Sequence, residues 1–273
     1  MKIILQADEV SEKLKEVANI AVIDVRIKDE KYGTGKAAYE QEHIEGAIYL
    51  DFKEDLSGKG TFLPSIPALA EKLGAHGITR ETPVVIYDEG NHRAAAKAYV
   101  VLTYLGHETA YILNGGFKAW QEAELPVTDQ LTKAVPTRYE VQVDGSFLID
   151  MEDVKERFNQ TESVHIDSRA FERYTGEKEP KYKKAGHIPG AKNYHTKLLF
   201  DETGAYKDRD SLQTHFENIA DKEEVVVSCG SGNSACMNVV ALKEAGLDNV
   251  KLYPGGFSEW IEDEENEVAQ GKE

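Results

Sequence analysis

The run Val225-Val226-Val227-Ser228 leads straight into Cys229, and Gly230-Ser231-Gly232-Asn233-Ser234 follow before a helical pattern opens at about Ser234. A sulfur on such a strand–loop–helix turn faces several backbone N–H groups and a helix N-terminus, both of which stabilise anions. That setting favours the thiolate, the nucleophilic form of cysteine. Cys229 is therefore the candidate nucleophile. A buried small hydrophobe is the other common use of a cysteine at a strand end, but core cysteines seldom carry a Gly/Ser loop behind them. Gly230 and Gly232 let the backbone approach a bound group closely. Ser231 can donate a hydrogen bond, and Asn233 and Ser234 complete the loop. The only other cysteine, Cys236, reads as a helix core residue. Two cysteines seven apart, with no second pair, build no zinc site.

In Ser168-Arg169-Ala170-Phe171-Glu172-Arg173-Tyr174, the two arginines are four apart after a strand-like run. One helical turn would bring them to the same side. Guanidinium groups bind carboxylates and other oxyanions bidentately. Arg173 is the anion-binding candidate. Arg169 either joins it or pairs with a carboxylate and holds the loop. Lys181, Lys183 and Lys184 read as a solvated basic patch.

The elements that must position these residues come in two copies. Val22–Arg26 (VIDVR) matches His165–Arg169 (HIDSR). His43–Ala47 (HIEGA) matches His187–Ala191 (HIPGA). Val84–Gly90 (VVIYDEG) matches Val225–Ser231 (VVVSCGS), and Asn114–Trp120 (NGGFKAW) matches Pro254–Trp260 (PGGFSEW). The order is the same, with offsets of 140–144 residues. A period that long means a duplicated domain. In each half a helix (Glu9–Ala18; Met151–Asn159) precedes a short strand ending in Asp-x-Arg. A second helix (Ile66–His76; Ser211–Ala220) leads to the apolar strand before residue 88 or 229. A third (Ala94–Tyr104; Ala235–Glu244) stops at Gly106 or Gly246. Another short strand then reaches Gly-Gly-Phe. Continuous apolar strands alternating with helices predict an α/β fold, each half a parallel sheet with helices on both faces. Ligands of such sheets bind beyond the strands' carboxyl ends, where Cys229 falls. We expect an N-terminal domain at 1–127, a linker at 128–138, which carries Pro136, and a C-terminal domain at 139–273. Asp88 stands where the second half has Cys229, so the first half should be catalytically silent and serve to cover or complete the site. His43 is a candidate to face the site from that half. His187 is expected to stabilise its loop, and Trp120 and Trp260 to anchor packing.

The chain has 273 residues and a net charge of −17, which excludes nucleic acid and anionic membranes as partners. No apolar run is long enough to span a bilayer, and the opening Met1–Glu9 is too short in apolar residues for a secretory signal. The expected compartment is the cytoplasm, and the expected state a monomer.

Asp-x-Arg, Gly-His-Ile-Pro-Gly-Ala, the cysteine loop and Gly-Gly-Phe-x-x-Trp, in this order, resemble the rhodanese family of sulfurtransferases through nearly the whole chain. The resemblance implies two tandem rhodanese-like domains, the first lacking the cysteine. It also implies a double displacement in which the cysteine takes a sulfane sulfur, becomes a persulfide and passes the sulfur on. No metal or organic cofactor is implied. Thiosulfate-using members typically carry Cys-Arg-Lys-Gly-Val-Thr, and mercaptopyruvate-using members Cys-Gly-Ser-Gly-Val-Thr. Cys229-Gly230-Ser231-Gly232-Asn233-Ser234 is similar to the second, departing at Asn233 and Ser234. By the same resemblance Arg173 matches a substrate-binding arginine, with Arg169 in the Asp-Ser-Arg motif. The donor would be a small sulfur-bearing anion, and the acceptor thioredoxin, another thiol or cyanide. Thiosulfate:cyanide transfer is the alternative, and a non-catalytic sulfur carrier the remoter one. A cysteine phosphatase is disfavoured because Ala235 stands where its phosphate-clamping arginine would be.

Overall fold

The computed structural model describes residues 2–17, 19–157 and 160–272. The chain divides into two compact units. One comprises Met1–Asp144 with Glu202–Tyr206, the other Gly145–Asp201 with Lys207–Glu273. In the first unit a five-stranded parallel sheet has the order Ile4–Leu5, Ala110–Leu113, Val84–Tyr87, Ala21–Asp24, Ala47–Tyr49. In the second, four parallel strands have the order Lys192–Asn193, Ser163–Asp167, Glu224–Ser228, Val250–Leu252. The expected duplicated α/β architecture is therefore present.

All four residues of Val84–Tyr87 are buried, as are Val225–Ser228. A strand buried on both sides needs helices on both faces, which is why these segments read as unbroken apolar runs rather than alternating ones. On one face of the first sheet, Val22, Val85, Tyr87 and Leu113 pack against Val10, Phe117 and Trp120. The matching face of the second joins Val226 to Val154, Phe257 and Trp260. Each tryptophan also donates its indole N–H to a carbonyl, Trp120 to Pro126 at 2.9 Å and Trp260 to Glu267 at 2.8 Å.

Several boundaries differ from the sequence expectation. The first helix is Ala7–Glu16, closed at its start by a capping box between Gln6 and Glu9; Ala18 lies outside the described residues. The helix expected at Met151–Asn159 is described over Met151–Arg157, and residues 158–159 lie outside the described residues. The single helix expected over Ser211–Ala220 is instead Arg209–His215 followed by a 3-10 turn at Glu217–Ile219. Asp208 starts it by accepting the Ser211 N–H, and Phe216 ends it by turning into the core.

The linker boundary also moves. The segment expected to connect the halves, 128–138, packs within the first unit, and the division falls at Asp144/Gly145. Val127–Thr128 pairs antiparallel with His43–Ile44. Beyond it, Thr137 N–H bonds Gly74 O, Gln142 N–H bonds Leu105 O, and Asp144 N–H bonds Tyr104 O. The aperiodic sequence hid this because the ladder is made by single bonds to helix ends. Tyr139 fastens the segment by stacking on His107, whose Nδ1 lies 3.1 Å from its hydroxyl.

Burial pushes the His107 pKa down to about 4, outweighing two backbone bonds that favour its charged form. The folded state thus holds His107 neutral where the unfolded chain would protonate it near 6.5. Its stabilising contribution is complete above about pH 6.5 and is lost as pH falls toward about 4. Urea unfolding at steps from pH 7.5 to 4.5 should show a loss of up to about 3 kcal/mol from this group, and His107→Gln should flatten that part of the curve.

Candidate active site

Cys229 follows the strand Glu224–Ser228 directly, and the helix Ala235–Ala245 begins six residues later. Its side chain is 2% exposed. Gly232, at φ +79°, turns the loop through the left-handed region, and the Asn233 N–H closes the turn on Ser231 O at 3.0 Å. Ser231 stands exposed on the rim, Asn233 and Ser234 are half-buried, and Gly230 and Gly232 are buried. Cys236 is wholly buried on the helix and directs its Sγ to Gly232 O at 3.5 Å, as befits a core residue that also braces the loop.

Gly255-Gly256-Phe257 grips this loop from behind. The Phe257 N–H donates to Cys229 O at 2.8 Å, and the Ser258 N–H to Gly230 O at 2.9 Å. Gly256 sits at φ +58°, and a Cβ there would stand 2.4 Å from Cys229 O. Only glycine satisfies both constraints. The first unit repeats the grip, with Phe117 N–H on Asp88 O at 2.8 Å and Gly116 at φ +60°. The recurrence of Gly-Gly-Phe thus has a mechanical cause.

The silent loop shows what the turn is built to hold. The Asp88 carboxyl is fully buried and accepts backbone N–H bonds from Gly90, His92, Ala94 and Ala95 at 2.8–3.2 Å. Burial raises its pKa, and the four amides oppose that rise. The first unit carries an anion cradle occupied by its own side chain.

Both Asp-x-Arg motifs form buried ion pairs of the same design. Arg26 Nε lies 2.9 Å from Asp24 Oδ2, and its Nη2 bonds Glu42 O at 2.7 Å. Arg169 Nε lies 2.9 Å from Asp167 Oδ2, and its Nη2 bonds Gly186 O at 2.7 Å. Each guanidinium covers the following Gly-Gly-Phe ring, 4.0 Å from Phe117 and 4.1 Å from Phe257. Arg169 is 1% exposed. Since the half without a cysteine keeps this pair, its geometry is that of an arginine holding the loop.

Arg173 differs. The turn Phe171–Tyr174 brings it to the same carboxylate that Arg169 touches, Glu179. Its Nε and Nη2 bond Glu179 at 2.8–3.1 Å, while the side chain keeps 19% exposure. Partial burial by itself would lower its pKa, but Glu179 and the Tyr182 hydroxyl outweigh that and raise it. Arg173 is thus engaged by Glu179 and Tyr182 while part of its guanidinium still reaches solvent.

Glu179 and Tyr182 were not singled out from sequence. Glu179-Pro180 looked like part of an ordinary charged loop, and Tyr182 was hidden among the lysines. Lys181 and Lys183 are exposed, as expected of a solvated patch, whereas Lys184 is half-buried with its Nζ 3.5 Å from Asn266 O. His187 also does what was expected: Nδ1 meets Tyr174 O at 2.8 Å and the ring stacks on Tyr174 at 3.8 Å. His43 does not. It is fully buried in the first unit, with Nδ1 at 2.6 Å from Tyr39 O and Nε2 at 3.3 Å from Gln130 O. Its ring stacks on Tyr39, the same holding device as in the second half. Among the described residues no cluster of three or more His, Cys, Asp or Glu side chains could hold a metal ion, and no helix is long and apolar enough to cross a membrane.

The model of the rhodanese-like domain matches residues 6–123 and 150–263. The chain is 35% identical to the "Probable 3-mercaptopyruvate sulfurtransferase" of Pseudomonas aeruginosa over 98% of each chain. It is 31% identical to the thiosulfate sulfurtransferase of Cricetulus griseus, over 86% of this chain and 83% of that protein. The crystal structure of SseA from Escherichia coli, described as a 3-mercaptopyruvate sulfotransferase, superposes with a TM-score of 0.79 at 28% identity, covering 94% of this chain and 99% of that one. The chain belongs to the rhodanese family. With relatives of both donor types matched along most of their lengths, it is a sulfurtransferase.

Gly256→Ala should displace Cys229, since the backbone conformation alone costs a non-glycine residue about 1–3 kcal/mol. Gly116→Ala should cost similar stability. Alkylation of Cys229 by iodoacetamide, followed by mass spectrometry, should change rate several-fold in the first variant and remain at the parent rate in the second.

Proposed function

We propose that the chain takes the thiol sulfur of 3-mercaptopyruvate, carries it as the sulfane sulfur of a Cys229 persulfide and passes it to a thiol or cyanide. One observation carries this donor choice. The Cys229-Gly230-Ser231-Gly232 loop has no cation of its own, and the guanidinium beside it, Arg173, is one side chain away through Tyr182, whose hydroxyl abuts Gly230. A compact dianion such as thiosulfate is best held by several charges close to the sulfur. A monocarboxylate needs one guanidinium set back from it.

In the proposed first half-reaction, the Cys229 thiolate attacks the donor's thiol sulfur. The new S–S bond forms as the donor's C–S bond breaks, and that electron pair leaves as the enolate of pyruvate. The proton released by the donor thiol ends on the methyl carbon of pyruvate. Arg173 holds the carboxylate. In this reading Ser231 donates to the ketone oxygen as enolate charge develops there. The persulfide rests in the cradle, whose amides at Ser231, Ala235 and Cys236 correspond in sequence to those that bind Asp88 in the first unit. In the second half-reaction an acceptor thiolate or cyanide attacks the outer sulfur and restores the Cys229 thiolate. Arg169 acts in this reading as the residue that holds the loop.

Thioredoxin or a small thiol fits the acceptor role, and the reading includes a cytoplasmic setting. Support comes from Cys229 and Cys236, both thiols outside any disulfide, the state that reducing compartments maintain.

Pyruvate release from 3-mercaptopyruvate and thiocyanate release from thiosulfate with cyanide, measured side by side, test the proposal. Mercaptopyruvate should be the better donor. Cys229→Ser should abolish both activities. Arg173→Lys should lower kcat/KM for mercaptopyruvate by about 10–100-fold, the worth of one charged hydrogen-bonded contact. Full transfer by Cys229→Ser would end the mechanism. A clear preference for thiosulfate would reverse the donor assignment.

A further inference from the structure

We infer that Tyr182 is the specificity-determining residue of this site: it fills the space that any side chain at position 230 would need and holds Arg173 beside the loop, so that the loop stays free of charge. The inference rests on the donor reading above and concerns how that choice is enforced.

The geometry is steric first. A Cβ at Gly230 would stand 2.6 Å from the Tyr182 hydroxyl oxygen and 3.3 Å from ring carbons Cε2 and Cζ. The first distance is well inside van der Waals contact, so either the loop or the phenol must move. The half-buried phenol carries contacts that such a move would disturb. The Arg173 guanidinium covers its ring at 5.2 Å, and Phe257 meets it edge-on at 6.1 Å. Phe257 is the residue whose N–H holds Cys229 O. Displacing Tyr182 therefore disturbs the anion-binding arginine, the support of the nucleophile, or both.

The consequence for specificity is electrostatic. The residue after the cysteine is one place from which a cation could reach a sulfur held at Cys229. Tyr182 closes that place to anything larger than glycine. Arg173 has Nε and Nη2 committed to Glu179 and is held against the phenol. A guanidinium held in this way suits a single carboxylate better than a compact dianion, which is best held by several charges close together. The Tyr182 hydroxyl, next to both Gly230 and Arg173, can also bond the carboxylate or ketone of the donor.

The test is a set of variants: Tyr182→Phe, Tyr182→Ala, Gly230→Ala, Gly230→Arg, and the pairs Tyr182→Phe/Gly230→Ala and Tyr182→Ala/Gly230→Arg. Two readouts are taken. The first is the ratio of kcat/KM for thiosulfate to that for 3-mercaptopyruvate. The second needs no turnover: protection of Cys229 from iodoacetamide by pyruvate and by sulfate. Gly230→Ala alone should weaken pyruvate protection by roughly ten-fold, and Tyr182→Phe in the same chain should restore most of it, because the two positions compete for one space. The Tyr182→Ala/Gly230→Arg pair should shift both ratios toward the dianion by at least roughly ten-fold relative to Tyr182→Ala. Where Gly230→Arg fails to fold, the Gly230→Ala and Tyr182→Phe pair still decides the steric claim. Strictly additive effects, or unchanged donor and protection ratios in the paired variants, would overturn the role of Tyr182. So would a parent protein that pyruvate does not protect. A parent protein that turns over neither donor, yet shows the predicted protection pattern, would overturn the sulfur-transfer reading and leave Tyr182's role standing.

Discussion

The buried ion pair between Asp167 and Arg169 is the interaction on which the second unit's site depends. Asp167 ends the strand Ser163–Asp167, so the pair ties the guanidinium to the sheet. From there Arg169 reaches Gly186 O, ahead of the His187 loop, and Glu179, the carboxylate that aims Arg173. Its flat face lies on Phe257, whose N–H carries Cys229 O. One side chain thus connects the sheet, Arg173 and the backbone of Cys229. Removing one partner of a buried pair leaves an uncompensated charge, at a cost of about 3–5 kcal/mol. The benefit is a set of positions fixed before any ligand arrives, which is what electrostatic catalysis requires.

The first unit serves as an internal control for this reasoning. It keeps the buried Asp24–Arg26 pair, the aromatic cover, the Gly-Gly-Phe grip and the stacked histidine, yet it has no cysteine. Those features therefore belong to the scaffold. What differs is chemistry at the loop. Asp88 places an acid where the second unit has a thiol, and the acid takes four backbone N–H groups for itself. A cradle filled covalently by its own carboxyl has no room for a persulfide. The comparison also sorts the two arginines: Arg169 has a counterpart in the silent half, in Arg26, whereas Arg173 corresponds to no arginine there.

The parts of the site legible in the sequence were those carried by contiguous motifs. The Cys229 loop, the arginine pair four apart and the repeated Gly-Gly-Phe each lie within a few residues, and local geometry follows from such spacing. The strands were legible because full burial on both faces demands unbroken apolar runs. The misses share a different cause. Segment 128–144 is held to the first unit by isolated backbone bonds to helix ends, which leave no periodic trace. His43 looked available because a lone histidine in a loop motif gives no sign of burial, whereas both its ring nitrogens meet backbone carbonyls. Glu179 and Tyr182 sit in a charged stretch whose composition suggests solvent on all sides.

By itself, then, the sequence determined the duplicated α/β architecture, the position of Cys229 beyond a strand's carboxyl end and the family to which the chain belongs. These depend on periodicity and on short-range motifs, both of which survive in one dimension. The tertiary structure alone decided that Arg169 is fully buried in a pair with Asp167 while Arg173 stays partly exposed on Glu179, and it alone brought Tyr182 against Gly230. Those outcomes depend on side chains far apart in sequence competing for the same carboxylate or the same few ångströms of space, and that competition exists only once the chain has folded.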